Sequence, residues 1–364
     1  MQLSTKLSLI VWACVAAIFA AVPSASFAET VYYVDGRGSD KASGLSRADA
    51  LRTPHQAVAL SKASRGQSQI VISGDIWIDR PIRVGHDSGV TAIRSDNRRR
   101  ASLTARGKVS AAIVVERPNV EITGLTIADF HRDGILIKNV RGAVIRSNII
   151  RRTRSDGWSQ AAIHLTGNVS DAVIDRNVVQ DADYSGIQID TSFTSDVSNI
   201  SITRNIVERT CQVVADCGAI YLNDRARKSS GSVVAGNRIR DYGPASAKGR
   251  AIYLDDWASN VRVEQNTIEG RGEIAIQIHG GHSNLIKDNS IELGFGTKAI
   301  HYIRHVSSPR WPRMSGNQIV ENIFHGRPIG NILTESNLPS AVAPYIRANQ
   351  NCYLGTCRAT SNEG

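Results

Sequence analysis

The sequence predicts an all-β fold: a single-stranded, right-handed parallel β-helix with a short N-terminal capping helix. Three observations predict it. A five-residue phrase of alternating character recurs at Gly134–Lys138, Ala162–Thr166, Gly186–Asp190, Ala219–Asn223, Ala251–Asp255, Ala275–His279 and Ala299–Ile303. A second phrase, seen in Val173-Ile174-Asp175-Arg176-Asn177-Val178-Val179, carries one Asn per copy: Asn148, Asn177, Asn205, Asn237, Asn266 and Asn289. The texture between them is short β-branched runs broken by Gly, Asp and Asn. A period of roughly 20 to 30 residues made of short strands and turns is that of a solenoid coil. The leucine spacing of leucine-rich repeats is absent, and one Asn at a fixed turn suits a stacked ladder that satisfies turn backbone groups.

In chain order, residues 1–28 read as a secretory signal: Lys6, an apolar run from Leu7 to Val22, and small residues ending at Ala28. The run is shorter than the roughly 20 residues of a spanning helix, and no later stretch of the mature chain is long enough to span a membrane. Residues 29–68 form an N-terminal cap, with a strand at Val31–Val34, a Gly-rich turn, and a helix starting at Thr53 as N-cap with Pro54 in its first position. That helix covers the open end of the stack, as terminal units of a solenoid require. Residues 69–323 are the β-helix, and 324–364 a C-terminal cap and tail. Loss of the signal removes Cys14 and leaves Cys211, Cys217, Cys352 and Cys357 in an exported chain. The short-loop pairings Cys211 to Cys217 and Cys352 to Cys357 are the simplest of the three possible.

The formal charge of +10 and pI near 9.6 give a field that attracts polyanions. Export argues against nucleic acid, and the sequence has no amphipathic basic helix for a membrane surface. An acidic polysaccharide acted on by a monomer, periplasmic or secreted, is the expectation.

The chemistry belongs to the variable positions of the first phrase. Strand side chains alternate between faces, so in-register stacking lines them up as two outward columns. One runs Leu136, His164, Gln188, Tyr221, Tyr253, Gln277, His301; the other runs Lys138, Thr166, Asp190, Asn223, Asp255, His279, Ile303. Asp190 and Asp255 lie two coils apart, about 10 Å at the usual strand spacing, which is near the separation of an inverting glycosidase pair. Asp216 and Asp256 are the carboxylates that narrow it. Tyr221, Tyr253 and His279 suit the base and acid of a β-elimination. Its charge neutraliser is then Arg225, Arg227 or Arg250, or a calcium ion held by Asp190, Asn223 and Asp255. His164, Gln188, Asn223, Arg225, Arg250, Trp257, Gln277 and His301 are candidate substrate contacts, and Trp158, Trp257 and Trp311 candidate stacking platforms. The bland alternatives are a Tyr packing ladder, turn aspartates bonded to local backbone, and surface histidines.

From Val31-Tyr32-Tyr33-Val34-Asp35 to about Asn322 the chain resembles the secreted right-handed parallel β-helix proteins of the pectate-lyase-like superfamily, which includes polysaccharide lyases, glycoside hydrolases and uronan epimerases. Asp255-Asp256 with His279-Gly280 one coil later resembles the paired-Asp and Gly-His-Gly motifs of polygalacturonase-type hydrolases. Ile278 stands where that motif has a glycine, and Gln188-Ile189-Asp190 only echoes the Asn-Thr-Asp triplet. The Asp-Pro-His-Asp motif of mannuronan epimerases is absent. The resemblance implies the fold and carbohydrate chemistry and leaves the reaction open. The expected function is an exported enzyme cleaving an acidic polysaccharide by β-elimination. The alternatives are a glycoside hydrolase using paired Asp residues and a non-catalytic glycan-binding or polysaccharide-assembly protein.

Overall fold

The computed structural model describes residues 29–64, 66–244, 248–294, 296–303, 314–326, 333–336, 346–349, 351–353 and 356–357. The expected signal segment 1–28, Trp311 and most of the expected tail lie outside them. Each coil consists of three short strands. In one they are Val173–Asp175, Val178–Ala182 and Ser185–Asp190, each paired in parallel with its counterparts in the coils on either side. Repetition builds three parallel sheets around one apolar interior, the right-handed β-helix. The first two sheets share the 11-residue strand Ser68–Ile78, whose halves pair with different partners. Gly74, at φ +68°, turns the corner between those halves, in a conformation that glycine adopts without steric cost.

The apolar positions of the five-residue phrase face inward. Ile135, Ile163, Ile187, Ile220, Ile252, Ile276 and Ile300 are register partners from coil to coil and all are fully buried. Burial of each isoleucine contributes about 1.5–3 kcal/mol relative to exposure. A polar residue anywhere in this column would therefore break the stack.

The Asn turn joins the first sheet to the second. The residue before each Asn is left-handed: Ser147, Arg176, Arg204, Gln265, Asp288 and Glu321 lie at φ between 53° and 57°. Outside glycine this conformation costs about 1–2 kcal/mol, and the Asn offsets it. Asn205 Nδ2 donates to Ile174 O and to Asn237 Oδ1, both at 2.9 Å. Its Oδ1 accepts from Asn177 N at 2.9 Å and Asn177 Nδ2 at 3.0 Å. The ladder continues past the expected Asn289 through Asn322 to Asn351, so rungs extend into the segment expected as C-terminal cap. At the other end Leu125 occupies the rung below Asn148 and gives its N–H to Asn148 Oδ1.

The cap is a continuation of the solenoid as well as a lid. Thr30–Asp35 already pairs with Ser68–Ser73. The helix Pro54–Ser64 begins as expected, with Thr53 Oγ1 accepting from Gln56 N at 3.3 Å, and packs on Thr30–Asp35 and Ile82–Val84. Among the described residues no helix is long and apolar enough to cross a membrane.

Asn205→Ala should destabilise the protein by about 2–4 kcal/mol, since it strips partners from buried backbone and side-chain groups on both neighbouring rungs. Urea denaturation followed by far-UV circular dichroism measures it.

Candidate active site

The two columns inferred from the sequence are the third sheet's outward face. His164 pairs with Gln188, Gln188 with Tyr221, Tyr221 with Tyr253, Tyr253 with Gln277 and Gln277 with His301. Thr166 pairs with Asp190 and Asn223 with Asp255. These positions differ from expectation in exposure. His164, Gln188, Tyr221, Tyr253, Gln277 and His301 are all buried, because polar and aromatic side chains pack along the sheet and loops rise beside it. The strip is a second, polar layer outside the apolar core.

At its centre a pocket of about 390 Å³ opens, lined by Trp158, Ser159, Tyr184, Gln188, Asp190, Asp216, Tyr221, Asn223, Arg225, Tyr253, Asp255, Asp256 and His279. Three tyrosines make its floor. Tyr221 and Tyr253 stack at 4.8 Å with planes 13° apart, and Tyr184 meets Tyr221 edge-on at 6.5 Å. Burial, reinforced by Asp255, pushes the Tyr221 phenol well above its ordinary range. Burial also pushes up Tyr184 and Tyr253, helped by the carboxylates of Asp216 and Asp255. All three therefore stay protonated at neutral pH, which opposes the expected use of Tyr221 or Tyr253 as a base.

Asp255 anchors one wall. Tyr221 OH donates to its Oδ2 at 2.6 Å, and His279 Nδ1 lies 2.6 Å from its Oδ1. Burial alone would raise this carboxyl, but the bond and charge of His279 and the Tyr221 bond outweigh it and hold it below the ordinary carboxylate range. Such a carboxylate orients an imidazole. It is badly placed to act as an acid itself.

Arg225 holds the same wall together, with Nε 2.7 Å from Asp256 Oδ2 and a terminal nitrogen 3.4 Å from Asp190 Oδ1. Asn223 Nδ2 donates to Asp190 at 2.9 Å, while its Oδ1 accepts from Thr191 N and Oγ1, both at 2.7 Å. The facing wall carries Asp216, which immediately precedes the strand Cys217–Asn223. It lies 3.0 Å from a terminal nitrogen of Arg250, whose Nε donates to Gln277 at 2.8 Å and whose guanidinium covers the Tyr253 ring at 4.6 Å. The Cys211–Cys217 disulfide forms as expected and fixes the short loop bearing Asp216. Cys352 is also disulfide-bonded, with Cys357 its register partner.

The residues expected to hold calcium are divided between two networks. The carboxylate and imidazole atoms that cluster within 4.8 Å belong to Asp255, Asp256 and His279, whereas Asp190 and Asn223 belong to the Arg225 network. Calcium takes six to eight oxygen ligands. In the Asp255, Asp256 and His279 cluster both Asp255 oxygens are hydrogen-bonded, Arg225 sits on Asp256 and the third group offers nitrogen, which is not an all-oxygen calcium donor set.

Of the sequence candidates, Asp190, Asp216, Tyr221, Tyr253, Asp255, His279, Gln188, Asn223 and Arg225 line the pocket, and Arg250 holds two of them, Asp216 by an ion pair and Tyr253 by covering its ring. His164, Gln277 and His301 continue the strip without lining the pocket. Trp257 is buried beside Arg227, whose guanidinium lies 4.7 Å from its ring, so it is a packing residue. Trp158, 71% exposed, does border the opening. Tyr184 escaped the sequence reading because it precedes the five-residue phrase, where no alternation marks it.

A model of the family described as the right-handed beta helix region matches residues 110–291, half of the chain. The chain belongs to that family. Among solved structures this β-helix protein is similar to the Dettilon tailspike protein, at 9% identity over 89% of this chain and 68% of that one, with a TM-score of 0.52. It is also similar to an alginate lyase from Paenibacillus sp. (15% identity, 84% and 97% of the two chains, TM-score 0.48) and to the GH136 lacto-N-biosidase from Eubacterium ramulus (11%, 89% and 67%, 0.48). The likeness to the tailspike protein, at such identity, speaks for the fold alone. No curated protein matches the chain.

Two groups of the strip contribute to the acid-side stability profile. Asp255 ionises below its unfolded value, so its contribution is present at neutral pH and is lost as pH falls through its folded range. Burial, aided by Lys298, Arg250 and His279, lowers His301 from 6.5 to about 4. Unfolded His301 therefore binds a proton that the folded chain refuses between those values, and stability falls with pH across that window. His301→Gln should flatten the thermal-melt profile between pH 6.5 and 4, while Asp255→Asn should lower stability at pH 7 and reduce its loss below the carboxylate range.

Proposed function

We propose that the pocket is the active site of a carbohydrate-active enzyme that hydrolyses glycosidic bonds. The observation that carries this reading is the placement of ionisable groups on both walls of a tyrosine floor: Asp216 on one, the Asp255–His279 pair on the other. A sugar unit lying over the edges of Tyr221 and Tyr253, whose faces are taken up by each other and by the Arg250 guanidinium, then has a proton-transfer group at each side, as hydrolysis requires. His279, oriented by Asp255, delivers a proton to the departing glycosidic oxygen. The Asp216 carboxylate takes one from the attacking water, whose oxygen bonds to the anomeric carbon as the glycosidic bond breaks. Asp190, Asp256 and Arg225 brace the His279 wall.

Elimination is the second reading, and the observation favouring it is the same imidazole, a competent base beside the floor. Its weakness is charge neutralisation. Arg225 is ion-paired with Asp190 and Asp256, and Arg250 with Asp216, so both cations nearest a substrate carboxylate are already engaged by carboxylates.

Incubation with acidic and neutral polysaccharides separates the readings. Hydrolysis releases reducing ends without new absorbance from unsaturated uronates, and elimination produces that absorbance. His279→Gln and Asp216→Asn should each lower kcat by about 10²–10⁴-fold, with Tyr253→Phe acting mainly on KM. Turnover unchanged in both of the first two variants would overturn the assignment.

A further inference from the structure

One polar group on the pocket floor is left unsatisfied by the fold. Gln188 is 1% exposed and lines the pocket, yet its Oε1 is buried without a hydrogen-bond partner among the described residues. One rung away, His164 has Nδ1 held 3.0 Å from Asp133 Oδ1 and its buried Nε2 likewise unpartnered. A buried unsatisfied polar group costs about 1–3 kcal/mol. The fold does not need one there, since Leu136 occupies the next position of the same column. An amide presents an acceptor and a donor side by side, complementary to a ligand with the same pair. Around it stand Asp190, Asp216, Asp255 and Asp256, which engage Arg225, Arg250 and His279, the cationic groups a ligand carboxylate would need.

We infer that Gln188 is a specificity-determining residue that selects an uncharged sugar unit. Its Oε1 is closed to solvent in the free protein, so the amide turns toward the pocket as the sugar seats, its Oε1 then accepting from a hydroxyl or acyl-amide N–H and its Nε2 donating to the oxygen alongside. The unit in the pocket is a neutral hexose or an N-acetylhexosamine, and a uronate is rejected. This inference rests on reading the pocket as a glycoside site and deepens that reading by naming the substrate class.

Isothermal titration of neutral-hexose, N-acetylhexosamine and uronate hexasaccharides into the Asp216→Asn protein, with and without Gln188→Leu, tests it. One neutral probe should bind, identifying hydroxyl or acyl-amide recognition, and Gln188→Leu should weaken that binding about 10- to 100-fold, the loss of two hydrogen bonds. The melting temperature of Gln188→Leu should hold or rise, because no protein partner is lost. A purely structural glutamine would instead lower it. Uronate bound as tightly as the neutral probe, no binding of either neutral probe, or affinity unchanged by Gln188→Leu each overturns the inference. Turnover by the native chain with a Gln188-independent KM removes this inference and leaves hydrolysis standing. Gln188-dependent binding without turnover does the reverse.

Discussion

Each coil is fastened to the next by an asparagine whose side-chain oxygen accepts both the backbone and the side-chain N–H of the Asn before it. Because the amide also bonds a strand carbonyl one coil back, a missing or slipped rung would leave several buried groups unsatisfied at once. A one-residue slip would also exchange the two faces of every strand. The ladder thus holds the register that keeps isoleucine over isoleucine inside and, on the third sheet, tyrosine over tyrosine outside.

What this register positions is a polar layer rather than an exposed surface. Burying Asp255, Arg250, Gln188 and two histidines beside the core is costly unless each is partnered. Most are: Asp255 by Tyr221 and His279, and Arg250 by Gln277 and Asp216. The exceptions, Gln188 and one nitrogen of His164, lie beside or within the pocket. Among the described residues, buried polar atoms without a partner also occur elsewhere, at Ser68, Thr210 and Tyr242 for example, and Gln188 is the one of them that lines the pocket.

The sequence carried the two columns of the strip to the residue, since period two within a strand and one Asn per coil fix both face and register. It carried Asp190, Asp255 and His279 for the same reason. It could not say that Asp255 bonds His279 and Tyr221 together, that Arg225 ties Asp190 to Asp256, or that Tyr184 completes the floor. Those depend on side-chain length and lean between coils, which have no period. Trp257 misled because an indole in a loop reads alike whether it faces a cleft or packs beneath an arginine.

By itself the sequence determined the β-helix, its apolar column, its Asn ladder and the two outward columns of the third sheet, because all are repeating and a repeat is visible one residue at a time. Only the tertiary structure decided which polar groups converge, which are buried and which stay unsatisfied. Burial and proximity arise when loops from different coils close over one sheet, and no single coil's sequence records what its neighbours place above it.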